Sequence, residues 1–362
     1  MKKTFIMIGI IVLILIILGG IGTSYFKPNK NTVLNFIKEN PEKTSIKLIR
    51  NDTLIIEKNP NKMMPLASAV KIIIAIEYAE QAANGLINPD EAVPLSDLNH
   101  YYVPNTDGGA QKNWLIKVKD KIQDEKIAIR EIVKGMISFS SNANTEWLCK
   151  KLGLQNINDR LDSLGIKNHS EIYYIVSALF VGKEVFPNLK DEELVTALKN
   201  LTIDEYRKAT FSIHNKMEQD STYKNDIGER NPNLERIWSD NLPNSTVKEY
   251  VEIMHKINSR TYFSKKTHTY LDEIMEFPLD DPSNGQWFDH LGMKGGSTAF
   301  VLTKALYATD KEDNTTELSY FINDLNFIQS KRLQMSMNEF EAGILTDEEF
   351  REQLKKELLL QN

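Results

Sequence analysis

Met64-Pro65-Leu66-Ala67-Ser68-Ala69-Val70-Lys71-Ile72-Ile73-Ile74-Ala75-Ile76 sets a serine three residues ahead of a lysine, at the head of an apolar run. In a helix, residues i and i+3 share a face, so Lys71 Nζ can reach Ser68 Oγ. A serine hydroxyl is a weak nucleophile until a base takes its proton, and a lysine lowered in pKa by burial can be that base. The stretch from Lys71 to Glu80 is apolar nearly all round. That suits a helix buried at a domain centre, and its β-branched residues would also fit a strand. Taken alone, Ser-x-x-Lys equally describes a helix N-cap serine beside a solvated lysine.

Two further motifs follow in order. At Ser140-Ser141-Asn142 one helical pattern (Ile129, Ile132, Val133, Met136, Ile137) stops and another (Trp147, Leu148, Leu152) begins. Such an elbow can project two polar side chains into a cleft; the competing reading is that Ser140 and Asn142 only cap the second helix. Met293-Lys294-Gly295-Gly296-Ser297-Thr298 precedes a strand-like run, Ala299 to Leu302. Its glycines let a ligand approach the backbone closely. With these three motifs in this order, the chain resembles the serine β-lactamase/penicillin-binding protein superfamily, and its class A β-lactamase-like branch most closely. The resemblance extends over residues 32–335.

The resemblance implies an acyl-enzyme formed on Ser68 with a β-lactam or a D-Ala-D-Ala-type peptide. Lys71 would take the proton of Ser68, Ser140 would relay it to the leaving nitrogen, and Lys294 would hold that relay and attract the substrate carboxylate. Asn142 would bind the substrate amide. The backbone N–H groups of Ser68 and Ser297 would form the oxyanion hole, with Gly296, Ser297 and Thr298 lining the substrate. His100 to Ala110, rich in aromatics and turn formers, lies where the family has an aromatic wall, which makes Tyr101 or Tyr102 a candidate substrate contact, Tyr102 foremost. A literal Ser239-Asp240-Asn241 competes with Ser140-Ser141-Asn142, but only the latter follows a helix end as the family pattern requires.

The departures concern turnover. Class A enzymes carry a deacylating glutamate in a Glu-x-x-Leu-Asn context, which nothing between Ser140 and Lys294 reproduces; Glu171 and Glu184 are the nearest candidates, Glu171 first. Gly295 replaces the hydroxyl residue of Lys-Thr-Gly. A D-alanyl-D-alanine carboxypeptidase with slow deacylation is therefore one alternative to a β-lactamase, and a non-catalytic peptidoglycan-binding module of the same fold is another.

Composition narrows the rest. The chain has 362 residues and a net charge of −6, which is no basic footprint for nucleic acid. One cysteine, Cys149, excludes an internal disulfide, and six scattered histidines show no metal-ligand spacing. No cofactor and no metal is expected, and the chain is expected to be a monomer. Lys2-Lys3 followed by an uncharged run from Phe5 to Ile21 reads as a signal or, preferentially, an uncleaved membrane anchor with the remaining chain outside the cytoplasm.

Strand patterns at Thr44 to Arg50 and Thr53 to Glu57 flank the turn signal Asn51-Asp52. Strands return at Phe300 to Ala308 and Glu317 to Ile322, and Thr346 to Leu360 reads as an amphipathic helix. The expected fold is α+β of the β-lactamase/transpeptidase type: an antiparallel sheet built from both termini, flanking helices and an inserted all-helical lobe. The expected boundaries are an anchor at 1–24, a linker at 25–31 and a hydrolase domain at 32–362. Within that domain an α/β lobe (32–67 and 260–362) encloses the helical lobe (68–259).

Overall fold

Asn51 and Asp52 both take left-handed backbone angles, φ 47° and 58°, the conformation that a two-residue hairpin turn requires. They join β1 (Thr44–Arg50) to β2 (Thr53–Lys58). The computed structural model describes residues 26–359, so the expected membrane anchor at residues 1–24 lies outside the described residues. No helix among the described residues is long and apolar enough to cross a membrane.

Three further strands complete an antiparallel sheet: β3 (Phe288–Ser297), β4 (Leu302–Asp310) and β5 (Thr315–Ile322). The order is β2-β1-β5-β4-β3, so strands from both ends of the sequence share one sheet and β3 forms an edge. The register pairs Gly296 with Thr303 and Ser297 with Leu302. Between β2 and β3 the chain is mainly helical.

The apolar run after Ser68 becomes α1 (Lys71–Ala83), in which eleven side chains are buried, Lys71 and Glu77 among them. Its isoleucines prefer strands, but the helical penalty is at most about 0.7 kcal/mol each. Burying each contributes about 1.5–3 kcal/mol, so tertiary burial wins. The buried Glu77 carboxylate is satisfied by Arg160 Nε at 2.8 Å and Gln81 Nε2 at 2.7 Å. Of the later helices, three bear on the site: α2 (Asn142–Leu152), α3 (Val247–Asn258) and α4 (Lys265–Met275). Val247, Tyr250, Val251, Met254 and Ile257 give α3 one apolar face, which packs on β1, β4 and β5. Meanwhile α4 packs on α1 and β3.

Several expectations need correction. Lys294 lies inside a strand that already starts at Phe288, and Ala299–Phe300 forms the following hairpin turn rather than the start of a strand. Glycine content hid β3, because Gly292, Gly295 and Gly296 break its alternation. The region 68–259 is not all-helical, since Ala92–Pro94 pairs with Lys126–Ala128. The linker is shorter than expected, with a helix starting at Lys30 behind its N-cap Asn29.

By contacts the chain divides into two compact units, Thr44–Asp324 and the terminal segments up to Lys43 and from Leu325. In the terminal unit the helix Lys30–Glu39 packs on the helix Phe327–Thr346, and Glu348–Leu359 follows.

Candidate active site

Ser68 is presented by a strained turn. Ala67 has φ 44° and opens the short 3-10 turn Ala67–Val70 ahead of α1, a conformation that costs a non-glycine residue roughly 1–3 kcal/mol. Leu66 N donates to Pro243 O at 2.9 Å, and Thr303 Oγ1 donates to Leu66 O at 2.8 Å, fixing the turn against β4. The backbone of β3 rests directly on it. A Cβ at Gly296 would lie 2.4 Å from Ser68 N and 2.6 Å from Leu66 O, so only glycine fits there.

The elbow at 140–142 is strained as well. A π-helical turn (Gly135–Phe139) ends in Ser140, which adopts φ 68° and ψ 27°. The cap of α2 is Ser141, neither Ser140 nor Asn142: its Oγ accepts from Asn144 N at 3.1 Å and donates to Gln111 Oε1. Both Ser141 and Gln111 are buried. Ser140 and Asn142 are thereby left to face the two lysines.

Lys71 is fully buried, and Lys294 is 4% exposed, which excludes a solvated strand-end lysine. Lys71 Nζ donates to Ser140 O at 2.7 Å and Asn142 Oδ1 at 2.9 Å, and stands 3.4 Å from Ser140 Oγ. Lys294 Nζ reaches Ser140 Oγ at 3.0 Å and Gly295 O at 2.7 Å. Burial, then the Lys294 charge, push the Lys71 pKa well below its ordinary value. Burial and the neighbouring Lys304 push Lys294 down to about 7. A neutral Lys71 uses its two N–H bonds on Ser140 O and Asn142 Oδ1 and keeps a lone pair for a proton. Ser68 is not among its hydrogen-bond partners among the described residues; the direct Lys71–Ser68 contact expected from the spacing is replaced by these two bonds.

The open edge of β3 supplies the backbone donor. Thr298 N donates to Val301 O at 3.0 Å, and hydrogen-bonded pairs alternate along an antiparallel ladder. Gly296 therefore bonds across to Thr303, while Ser297 N–H and Gly295 C=O turn outward. Ser297 is exposed, but Thr298 Oγ1 is committed to the turn, accepting from Phe300 N and Val301 N at 3.1 Å each. Beside Gly295, where a hydroxyl residue was expected, Lys304 Nζ would stand 3.7 Å from a Cβ.

Other sequence candidates make no hydrogen bond to Lys71, Ser140 or Lys294 among the described residues. Glu171 is exposed and pairs with Arg207 at 3.6 Å, and Glu184 pairs with Lys216 and Tyr223. Tyr101 is buried, stacked on His214. Half-buried Tyr102 lines a cavity with Gln111, Leu95 and Leu115, and Gln111 in turn accepts from Ser141. Ser239 is buried, with its hydroxyl 2.7 Å from Thr298 Oγ1, so the literal Ser-Asp-Asn braces the β3–β4 turn. Cys149 is buried, and burial pushes the pKa of its thiol up.

Sequence reading missed Gln111 and Glu146. Fully buried on α2, Glu146 accepts from Val176 N at 2.9 Å, Ser177 N at 3.1 Å and Ser177 Oγ at 2.5 Å, holding the loop that follows Glu171. A charge beside the apolar Trp147, Leu148 and Cys149 was the available signal.

The sequence model described as the beta-lactamase enzyme family matches residues 29–283. Among solved structures, the chain is similar to a beta-lactamase from Chitinophaga pinensis, at 15% identity and TM-score 0.53, covering 87% of this chain and 99% of that one. It is also similar to the chromosome-encoded beta-lactamase of Vibrio parahaemolyticus, at 12% identity and TM-score 0.54, covering 88% and 100%. PBP-A is a third, at 12% identity and TM-score 0.51, covering 87% and 97%. These likenesses establish the shared fold, α+β of the β-lactamase type. No curated protein sequence matches the chain.

Proposed function

This chain belongs to the beta-lactamase enzyme family, and we propose that it is an acyl-serine hydrolase of β-lactams or D-alanyl-D-alanine peptides, acting outside the cytoplasm and deacylating slowly. The observation that carries the reading is the convergence of Lys71 and Lys294 on Ser140, at 3.4 Å and 3.0 Å from its hydroxyl. Two buried lysines around one hydroxyl have no packing rationale, because desolvating an unpaired ammonium is costly.

In the proposed reaction Ser68 Oγ attacks the substrate carbonyl and its proton passes to neutral Lys71. The oxyanion is held by the N–H groups of Ser68 and Ser297, each such donor being worth about 3–4 kcal/mol. Collapse breaks the C–N bond: Ser140 gives its proton to the leaving nitrogen and recovers one from Lys71. Protonated Lys294, with the exposed Ser297 hydroxyl, attracts the substrate carboxylate. Asn142 orients both Lys71 and the substrate amide.

Slow deacylation is inferred from the carboxylates. Glu171 and Glu184 are held by Arg207 and Lys216, and Glu146 is used up on the loop backbone. With these three glutamates engaged among the described residues, none of them is poised to activate water, and an enzyme lacking such a base acylates well and hydrolyses poorly. The extracytoplasmic reading rests on the apolar run Phe5 to Ile21. Incubation of the full-length chain with a peptide ending in D-alanyl-D-alanine tests the substrate class. Release of D-alanine that is lost in Ser68→Ala supports the peptide substrate; release unchanged in that variant contradicts acyl-serine catalysis, and no release leaves β-lactams as the substrate class.

A further inference from the structure

Ser140 meets both lysines from a left-handed conformation, φ 68° and ψ 27°. A non-glycine residue keeps such angles only where its surroundings over-determine them. The helix Ala110–Lys117 braces the chain on both sides of this residue. Before it, the π-helical turn Gly135–Phe139 lies against Trp114: a Cβ at Gly135 would come within 2.6 Å of the indole ring and 2.4 Å of Asn144 Nδ2. The Trp114 indole N–H donates to Glu131 O at 3.1 Å, and the Asn144 amide donates to Ile132 O at 3.0 Å, so both are tied to the helix that runs into that turn. After it, Ser141 Oγ donates to Gln111 Oε1. The start of the bracing helix is itself fixed, because Asp107 accepts from Gly109 N at 3.0 Å and from Gln111 N at 2.9 Å.

Capping alone does not call for Gln111. Ser141 caps α2 with an oxygen lone pair, accepting from Asn144 N, and its hydroxyl proton takes no part in that bond. On a surface the proton would go to water. Here Ser141 is fully buried and Gln111 is 4% exposed, so the proton needs a protein acceptor, and Gln111 Oε1 supplies it. Ser141 N also donates to Gly135 O at 3.1 Å, and Ser141 O accepts from Thr145 Oγ1 at 2.7 Å. Every polar atom of Ser141 is thereby committed, which holds its peptide link to Ser140 in one orientation. We propose that Gln111 is a positioning residue for the proton relay, acting through Ser141 to keep the Ser140 hydroxyl between Lys71 and Lys294. The inference rests on the acyl-serine reading above. It also gives the segment ahead of the bracing helix a task, since Asp107 sets where that helix starts and so where Gln111 stands.

The test places Gln111→Met, of similar size but without the acceptor, in the full-length chain and again in Ser140→Ala. Alone it should slow acylation by a fluorescent penicillin about tenfold or more, part of the roughly 10²–10⁴-fold that a positioned proton donor contributes. In Ser140→Ala it should slow acylation less than about twofold, because the group it positions is gone, while it lowers thermal stability equally in both backgrounds. Ser141→Ala removes the donor of the same bond, should show the same pattern, and serves if Gln111→Met does not fold. Equal slowing in both backgrounds, or none in folded Gln111→Met, would overturn the proposal. A parent chain that penicillin does not acylate would count against the acyl-serine reading instead, and titration of Lys294 then decides the role of Gln111. Followed by NMR of isotope-labelled lysine, with Lys294→Arg to assign the signal, its pKa of about 7 should fall further in Gln111→Met and in Ser140→Ala alike, since each takes an acceptor from the ammonium. A Lys294 pKa unchanged in Gln111→Met would contradict the positioning role.

Discussion

The Ser140 hydroxyl lies 3.0 Å from Lys294 Nζ although 154 residues separate them in sequence. One comes from a left-handed elbow between helices and the other from the edge strand of the sheet. In the proposed reaction their contact closes the relay that delivers a proton to the leaving group. Ser140→Ala should lower the rate of acylation by about 10²–10⁴-fold, the usual contribution of a positioned proton donor, while leaving thermal stability nearly unchanged. Stopped-flow quenching with a fluorescent penicillin measures it.

Acylation should fall as pH rises through about 7. Lys294 is cationic below its lowered pKa of about 7 and neutral above it, so attraction of an anionic substrate is lost on the alkaline side. Burial and the Lys294 charge also lower the Lys71 pKa, which favours its neutral, basic form. Lys304→Gln removes a positive neighbour that lowers the Lys294 pKa, so the alkaline limb should move to higher pH. A pH profile of the second-order acylation constant, parent against variant, checks both the limb and its displacement.

Gly296→Ala should abolish labelling and destabilise the fold by about 1–3 kcal/mol, the usual cost of overpacking, because its methyl would meet Ser68 N at 2.4 Å. Gly285→Ala, with nothing within 4 Å of the new methyl, should be silent within about 0.5 kcal/mol. Denaturant unfolding of the pair separates a close backbone approach from general intolerance of added bulk.

Glu146→Ala should cost about 3–5 kcal/mol, as when one partner of a buried charged network is removed, since it strands the N–H groups of Val176 and Ser177. Glu146→Gln keeps an acceptor oxygen and should recover part of that loss. Urea midpoints give the two values, and a slower hydrogen exchange at Val176 in Gln than in Ala ties them to the loop.

Strands β1 and β2 were legible because Asn51-Asp52 announces a turn and Ile46, Leu48 and Ile56 supply the buried face. That Ser140, Asn142, Lys71 and Lys294 come together was legible because the Ser-x-x-Lys, the polar elbow and the lysine before two glycines each carry a distinct local pattern. What stayed hidden depends on distant packing. β3 is glycine-rich because Ser68 and Tyr307 press on its backbone, and that pressure cannot be read from the strand itself. Gln111 bonds Ser141 only in the folded chain and leaves no local signal, while Glu146 leaves only a charge beside apolar neighbours, which does not say what it holds. Thr298 resembled a substrate-binding hydroxyl, yet the geometry of a two-residue turn claims it first.

Intact mass followed over time, with the full-length chain and a penicillin beside Ser68→Ala, tests the central claim most directly. The expected result is an adduct of one penicillin per chain that forms only when Ser68 is present and persists for many minutes. No adduct, or an equal adduct in Ser68→Ala, would contradict acylation at Ser68. An adduct that clears within seconds as the antibiotic is hydrolysed would contradict slow deacylation.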